Sequence, residues 1–371
     1  MSKKQRFLVK VGTMAVITVV AFSLMGGFPA ILRSDAEAAG KPFEGKTIRI
    51  MTWTDESGLA AVKHIAKPFQ ANTGANVLPD MTAATSEMVA KLKASAAKPQ
   101  YDVVMLSGVG AFELANAGIL EKPDPSKIPN HSQVPQNLRF GANGFGVGYY
   151  LWVDAMWFNT KTFSKAPTSF EVLWDKKYAG KVFIPPPQWT EAQQLVILAA
   201  EMAGGDVRNP EPGFKKLAEL KPQIMLLGEN IAQVVDLFRT NSLVVGGPYS
   251  PSNCLTFFPN AQYNLSATMN LKEGFFCDLQ FMIIPKGHPG DTDVIHAFIN
   301  YALDPKVQGL MAEEVAYGPI NEKTVLSGKA RKSGYIPTPE LVKEKGRFID
   351  NEYLAKVRPE WIKRYTEIFG F

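Results

Sequence analysis

Short apolar runs alternate along this chain with longer segments in which apolar residues return every three or four positions. The runs at residues 46–51 and 101–106 have the length of strands, and the second is typical of a strand buried on both faces. Helical periodicity occupies residues 59–72 and 86–97, and a short helix is predicted at 112–117. Strands that alternate with helices predict an α/β domain with a mainly parallel sheet.

The alternation continues to the end of the chain. A glycine-rich stretch, residues 141–148, leads into an aromatic segment, residues 149–158, which we interpret as the first crossing between two lobes. Further strands are predicted at residues 182–184, 243–245 and 279–284. Further helices are predicted at residues 191–202, 212–220, 230–240, 291–303 and 304–315.

Local signals indicate where several of these helices bend or begin. Pro68 is expected to kink or shorten the helix that contains it, because proline removes a backbone hydrogen bond. Thr168 and Glu171 have the spacing of a capping box ahead of an apolar segment. Thr338 followed by Pro339 predicts the start of a C-terminal helix.

The first 38 residues have the pattern of an export signal. Basic residues lie within positions 3–10, an apolar run follows at 13–26, and the small-residue motif at 36–38 predicts cleavage after Ala38. The alternative is an uncleaved membrane anchor, which needs a run of ~20 apolar residues rather than this shorter one. We therefore expect a periplasmic mature protein that is not inserted in the membrane.

Length and charge narrow the class further. The chain has 371 residues with 40 basic and 35 acidic side chains. Residues 1–38 carry five of the basic and two of the acidic ones, so 35 basic and 33 acidic residues remain beyond them. Their even dispersion argues against a nucleic-acid partner. The ~330 remaining residues exceed what one core usually serves, which favours two lobes.

The two cysteines leave two alternatives open. In an oxidising compartment Cys254 and Cys277 can form a disulfide or stay as two buried free thiols, and sequence alone gives no Cα separation. No metal or other cofactor is expected, because neither cysteine has a partner at metal-site spacing and the histidines lack it as well. The four histidines are His64, His131, His288 and His296.

Motifs of reactive sites are missing from the sequence. It contains no G-x-S-x-G, no H-E-x-x-H, no P-loop and no Rossmann fingerprint. Residues 95–98 fit the S-x-x-K pattern of secreted acyl-transfer enzymes, but the companion S-D-N and K-T-G elements are missing. The sequence thus predicts that the protein is not an enzyme.

Several blocks occur in an order that resembles one family over residues 46–325. With these blocks the chain is similar to the extracytoplasmic solute-binding proteins of ABC importers, of the spermidine/putrescine-binding type. The blocks are Thr52-Trp53-Thr54, residues 101–104 with 117–121, 127–130, 166–169, 173–182, Asp278 before 282–287, 298–300 and 317–321.

The resemblance implies a fold, partners and a mechanism. The fold is α/β, a two-lobed periplasmic binding protein fold of the type II-like kind, with a ligand cleft between lobes that are joined by hinge strands. Lobe 1 would comprise residues 44–151 plus 277–322, and lobe 2 residues 152–276 plus 323–371. Such a protein, a monomer, captures a small-molecule solute by hinge closure and hands it to ABC permease subunits.

Four ligand-binding residues follow from the resemblance by position. Trp53 and Trp152 match tryptophans of the polyamine binders, Phe276 stands where they have tryptophan, and Asp278 matches their amine-binding aspartate. Aromatic faces and carboxylates suit a cationic chain through cation–π contacts and charge-assisted hydrogen bonds. Trp53 and Trp152 can instead pack at the edge of a lobe, Phe276 can belong to the core of the hinge, and Asp278 can cap a turn or pair with a hinge lysine.

Two segments depart from the polyamine binders and modify the expected ligand. Residues 185–190 stand where those proteins bring acidic groups, and residues 246–249 replace their Trp-Asn-Gly. We therefore expect one end of a diamine to lose its counter-charge, which favours a solute with a single cationic group. The further candidate ligand-binding residues are Trp189 and Tyr249 as walls, and Ser107 and Gly108 as backbone N–H donors to a carboxylate or phosphonate.

Two other functions remain as alternatives. A ferric-iron-binding protein of the same fold could use Tyr149 and Tyr150, since iron(III) favours phenolate oxygen, although adjacent strand residues point to opposite faces. A secreted enzyme on a two-lobed scaffold is the other, because a fold does not fix a function.

Overall fold

This computed structural model describes residues 40–82 and 84–370. Within this part of the chain, strands form one mixed sheet. The strands of the described part are β1 (Thr47–Trp53), β2 (Asn76–Thr82), β3 (Val103–Leu106), β4 (Leu120–Glu121), β5 (Phe140–Gly141), β6 (Gly146–Asn159), β7 (Val182–Ile184), β8 (Ile224–Leu227), β9 (Val245–Tyr249), β10 (Leu265–Thr268), β11 (Phe275–Pro285) and β12 (Gly346–Phe348).

Helices cover the sheet on its faces. Those of the described part are α1 (Glu56–Ala61), α2 (Lys67–Thr73), α3 (Thr85–Ala94), α4 (Gly108–Asn116), α5 (Gln136–Arg139), α6 (Thr190–Met202), α7 (Glu211–Leu220), α8 (Ile231–Arg239), α9 (Thr292–Ala302), α10 (Pro305–Val315), α11 (Gly328–Ser333), α12 (Pro339–Lys345) and α13 (Asn351–Phe369).

Two parallel blocks of strands are joined by two long antiparallel strands. The order along the sheet is β2-β1-β3-β11-β6-β9-β7-β8. Strand β1 is parallel to β2 and β3, and β7 is parallel to β8 and β9. The 14-residue β6 pairs antiparallel with β11 along residues 146–154 and with β9 and β10 along residues 155–159. This arrangement confirms the predicted two-lobed α/β fold; the lobe boundaries stay a prediction.

The apolar periodicity places most elements within one or two residues of the observed ones. Helix α4 begins four residues before the predicted start, α3 ends three residues early, and strands such as β2, β8, β10 and β12 lie where the pattern predicts no strand. Two predicted strands are extended: β9 takes in residues 246–249, and β11 begins at Phe275, four residues before the predicted start. Both extensions pair with β6, and in β9 the glycines admit close neighbours: a Cβ on Gly246 would lie 2.0 Å from the Phe183 ring. Long-range pairing therefore extends strands beyond the apolar runs that predict them.

Pro68 and the predicted capping box at residues 168–171 differ in the structure from what the sequence predicts. The helix around Pro68 takes a π-helical turn over Val62–Ala66, and Pro68 lies in the first turn of α2, where a missing N–H costs little. At the predicted capping box, the capping residue is Ser169 rather than Thr168, and its Oγ accepts from the Glu171 N–H in a short 3-10 helix.

Both cysteines are buried and free in the structure, so the alternative with a disulfide is wrong for this conformation. Cys254 is fully buried and Cys277 is 1% exposed. Burial in apolar surroundings raises the pKa of both thiols well above the ordinary value, which keeps them protonated and unreactive.

The predicted export signal, residues 1–38, lies outside the described residues. Among the helices between residues 40 and 370 that the structure describes, none combines the length and apolar character needed to cross a membrane.

Candidate functional site

A cavity of about 330 Å³ lies where strand ends and helix N-termini from both parallel blocks meet. Strands β1, β6 and β11 contribute to its wall, as do the first turns of α1, α3 and α6 and the residue that precedes α4. Crevices beyond the carboxyl ends of parallel strands are the usual ligand sites of α/β proteins. The lining residues are Trp53, Asp55, Ser57, Ala84, Thr85, Ser107, Tyr150, Trp152, Asp154, Thr190, Glu191, Gln194, Asp278 and Gln280.

The structure brings four of the eight predicted ligand-binding residues to this cavity. Trp53 ends β1, Ser107 precedes α4, and Trp152 of β6 lies opposite Asp278 of β11 in the sheet register. The fifth, Gly108, packs directly behind them: a Cβ placed on it would lie 3.4 Å from Asp278 Oδ1. These positions come from three strands and one helix start, so only the fold assembles them.

Three predicted walls lie elsewhere in the structure. Tyr249 is fully buried and its hydroxyl donates to the Gly228 carbonyl, with the Trp189 ring 5.5 Å away. Phe276 is 3% exposed and carries the Arg347 guanidinium 4.5 Å above its ring. None of the three belongs to the cavity lining, and their contact with a ligand stays a prediction.

Asp278 is held in place by two amide donors. Asn351 Nδ2 donates to Asp278 Oδ1 at 2.7 Å, and Gln280 Nε2 donates to Asp278 Oδ2 at 3.0 Å. Burial raises the pKa of Asp278, and these two hydrogen bonds lower it in part. The amides therefore fix the orientation of the carboxylate without neutralising its charge.

Asp154, two residues after Trp152 on β6, is a lining residue that the sequence analysis missed. It is 2% exposed and accepts from Trp152 Nε1 at 3.2 Å and from Gln194 Nε2 at 2.7 Å. Burial and the nearby Glu191 charge raise its pKa well above the ordinary value. The i, i+2 spacing from Trp152 was the available signal, because alternate strand residues share a face.

Glu191 is the second missed carboxylate, and it corrects an expectation. It lies in the first turn of α6 and is 8% exposed. Burial raises its pKa to about 7; Arg358 lowers that pKa and Asp278 raises it. Because Glu191 directly follows residues 185–190, the acidic group thought to be absent from this side of the cavity is present one residue later.

The cavity wall is strongly acidic. Asp55, Asp154, Glu191 and Asp278 line it, and none of the described lining residues is lysine or arginine. The amide oxygen of Gln194, a residue only 1% exposed, has no hydrogen-bond partner among the described residues. A buried acceptor left without a donor costs free energy, so the wall offers both charge and an open acceptor to a cationic N–H group.

The tyrosine pair proposed for iron lies in an aromatic cluster, and nothing among the described residues favours iron binding there. The Tyr149 and Tyr150 rings lie edge to face at 4.2 Å, and Tyr150 stacks on Tyr317 at 4.3 Å. Burial raises the pKa of both phenols far above the ordinary value, which disfavours the phenolate that iron(III) needs. Within the described ranges, no three or more His, Cys, Asp or Glu side chains are grouped so that they could hold a metal ion.

Two α/β blocks, linked by long strands and sharing one acidic cavity with aromatic walls, define the class of two-lobed solute-binding proteins. The family model described as bacterial extracellular solute-binding protein matches residues 64–338, and the chain belongs to that family. Membership indicates a place of action outside the cytoplasm.

Named relatives agree with this class. A gamma-aminobutyric acid-binding protein of Pseudomonas aeruginosa is 23% identical over 343 residues, which cover 89% of this chain and 93% of that protein. The spermidine/putrescine-binding periplasmic protein 1 of Haemophilus influenzae is 24% identical over 285 residues, or 74% of this chain and 75% of that protein. Both relatives are binding proteins rather than enzymes.

A solved structure shows the same fold. The spermidine/putrescine ABC transporter substrate-binding protein of Streptococcus pneumoniae superposes with a TM-score of 0.71 at 18% identity. The match covers 87% of this chain and 99% of that one.

Proposed function

We propose that the protein is the periplasmic solute-binding component of an ABC importer, and that it captures a small amine-bearing solute, polyamine-like or otherwise cationic or zwitterionic. The observation that carries the proposal is the convergence of Asp154, Glu191 and Asp278 on a cavity whose described lining has no basic side chain. An ammonium group relieves the mutual repulsion of these carboxylates, and a neutral or anionic solute does not.

The wall supplies the other contacts that an ammonium group uses. Trp53 and Trp152 flank the carboxylates and offer aromatic faces for cation–π contact. The unpartnered Gln194 oxygen is an acceptor for one ammonium N–H. Together these groups satisfy charge, hydrogen bonding and apolar contact for the cationic end of a solute.

Helix starts around the cavity suit a second, anionic group on the same solute. Helices α3, α4 and α6 begin at the cavity, and their N-cap residues Ala84, Ser107 and Trp189 make no side-chain capping hydrogen bond. Their first backbone N–H groups are therefore available to a carboxylate, which the helix dipole also favours. This supports a role of Ser107 and Gly108 as backbone donors and keeps zwitterions within the proposed ligand class.

Capture would proceed by hinge closure. The solute binds the wall of one lobe, and contacts from the other lobe then stabilise the closed form, which docks on the permease subunits as a monomeric carrier. Strands β6 and β11 run between the two parallel blocks and are the natural hinge. Export by residues 1–38 would place the protein in the periplasm.

Calorimetric titration of the purified protein with a panel of solutes tests the proposal. The panel is putrescine, spermidine, gamma-aminobutyrate, n-butylamine, glucose and ferric citrate. We expect saturable binding of at least one amine and none of glucose or ferric citrate. Binding of an uncharged solute or of iron with no amine binding would refute the proposed ligand class and leave the fold assignment intact.

A further inference from the structure

The C-terminal helix α13 reaches the cavity from behind its lining. It packs against α4, which begins at one side of the cavity, and against α6, which begins at the other. Asn351 and Arg358 are seven residues apart on α13, close to two helical turns, so they lie on the same face. Leu354, between them on that face, is 5% exposed, which shows that the face is turned inward.

Asn351 binds one carboxylate of the cavity directly, and Arg358 lies near the helix start that carries another. Asn351 donates to Asp278 at 2.7 Å, as described above. The partly buried Arg358 donates through Nη2 to the Gln188 carbonyl, three residues before Glu191 and just ahead of α6. Arg358 thus lies beside the α6 start, where its positive charge lowers the pKa of Glu191.

The position of Arg358 changes the charge that a ligand meets. A guanidinium is always ionised, so at this position it offsets part of the negative charge of Glu191 without a direct ion pair. An ammonium at the Glu191 end would have to approach this fixed positive charge, and like charges disfavour each other most where water is excluded. At the Asp278 end the hydrogen-bond partners of the carboxylate are the uncharged amides of Asn351 and Gln280.

We propose that Arg358 is a specificity-determining residue: held at the Gln188 carbonyl beside the α6 start, its positive charge restricts the cavity to solutes with one cationic group and excludes diamines of the same length. The inference rests on the proposed function, since it concerns how the same cavity selects among amines. Removing the guanidinium should remove this offset to the Glu191 charge and make a second ammonium on the ligand favourable there.

A gain of affinity tests this proposal. Putrescine and n-butylamine have the same four-carbon chain with two and one amines, so calorimetry with both isolates the second charge. We expect R358Q to bind putrescine at least tenfold more tightly than the wild type, with n-butylamine affinity changed less than threefold. R358M, which keeps the aliphatic stem, should behave alike, and R358K, which keeps the charge, should resemble the wild type.

Two further variants control the interpretation. Arg364 lies on the same helix and pairs with Glu211 away from the cavity lining, so R364Q should leave putrescine affinity within threefold of the wild type. The double variant E191Q/R358Q removes both charges and should return putrescine affinity to within threefold of the wild type. Thermal melts establish that each variant is folded.

The outcomes separate this inference from the function on which it depends. Unchanged or weaker putrescine binding by folded R358Q and R358M, with amine binding by the wild type intact, overturns the inference alone. Failure of both variants to fold gives Arg358 a structural role and overturns it as well. Absence of binding by every amine to the wild type overturns the proposed function, and the inference falls with it.

Discussion

Buried negative charge is the dominant feature of the cavity at the scale of single residues. Burial raises the pKa values of Asp154, Glu191 and Asp278. The charges of Glu191 and Asp278 raise the pKa of Asp154 further, the charge of Asp278 does the same for Glu191, and amide donors and Arg358 offset part of these shifts. Such an arrangement costs stability without a ligand and is relieved when a cation enters. The same residues that destabilise the empty cavity are therefore the ones that would give the proposed affinity for an amine.

The carboxylate of Asp278 should carry a large part of that affinity. We expect D278N to weaken amine binding at least tenfold, about 1.4 kcal/mol, because the amide keeps the shape and removes the charge. Calorimetry with the tightest-binding amine of the panel measures this. D236N is the matched control, since Asp236 is an exposed partner of Arg239 on α8 and should leave binding unchanged. Equal affinity for D278N and the wild type would refute the anchor role.

The raised pKa of Glu191 predicts how ligand binding varies with pH. Because its pKa is about 7 instead of about 4.5, its carboxylate ionises mainly between pH 6 and 8. Affinity for putrescine, whose two amines stay protonated in this range and whose second ammonium meets the Glu191 end, should therefore rise with pH. The slope should be smaller in E191Q. Titrations at pH 6, 7 and 8 check this, and a slope that E191Q leaves unaltered would contradict the assignment.

The raised pKa of Glu191 also determines whether the ligand-free protein becomes more or less stable as the pH rises. A carboxyl whose pKa is higher in the folded state binds its proton more tightly there, so its contribution to stability is fully present below about pH 4.5. That contribution is lost as the pH rises through about 7. Urea unfolding at pH 5 and pH 8 should show a larger fall in the free energy of unfolding for the wild type than for E191Q.

At the scale of elements, the antiparallel pair β6 and β11 positions both sides of the cavity. Trp152 and Asp154 lie on β6, Asp278 and Gln280 lie on β11, and the register shifts at Gln280. Close packing at the start of β6 holds this pair against α5 and β5. The cavity geometry thus depends on strand register several residues away from it.

At Gly148, near the start of β6, the neighbouring atoms leave no room for a side chain. A Cβ there would lie 2.2 Å from the Leu138 carbonyl oxygen and 3.0 Å from Leu279 Cδ1. We expect G148A to lose about 1–3 kcal/mol of stability in urea denaturation, the usual range for overpacking. G328A is the control: nothing lies within 4 Å of that position at the start of α11, and stability should stay equal or rise. Equal stability of G148A and the wild type would contradict the close contact.

At the scale of the whole molecule, two parallel blocks share one cavity and are linked by strands that run through both. A solute in that position contacts both blocks, and a ligand that binds one conformation more tightly shifts the population toward it. Closure around the solute and added stability should therefore appear together.

Solution scattering and thermal melting measure these two effects. At 100 times its dissociation constant, a binding amine should add ~2.7 kcal/mol of stability and lower the radius of gyration. D278N at the same amine concentration should show a smaller change in both. A stabilised protein with an unchanged radius of gyration would refute hinge closure while supporting binding.

Features that depend on local chemistry are the ones that the amino-acid pattern predicts correctly. Apolar periodicity placed β7 at its observed residues, and Thr338 caps α12 as predicted, because both follow from backbone geometry over a few positions. The order of short blocks identified the fold and the family, and it brought Trp53, Trp152 and Asp278 forward as candidates that line the cavity.

Which distant groups meet, and how deeply they are buried, depends on the packing of the folded chain. Asp154 and Glu191 have unremarkable sequence surroundings, and their convergence with Asp278 depends on how β6, β11 and α6 are arranged in space. The local pattern likewise could not tell that Ser169 caps in place of Thr168, or that the two thiols stay unpaired. Contacts across long stretches of chain set burial and partners, and these in turn fix the charge and the hydrogen bonds that a solute meets.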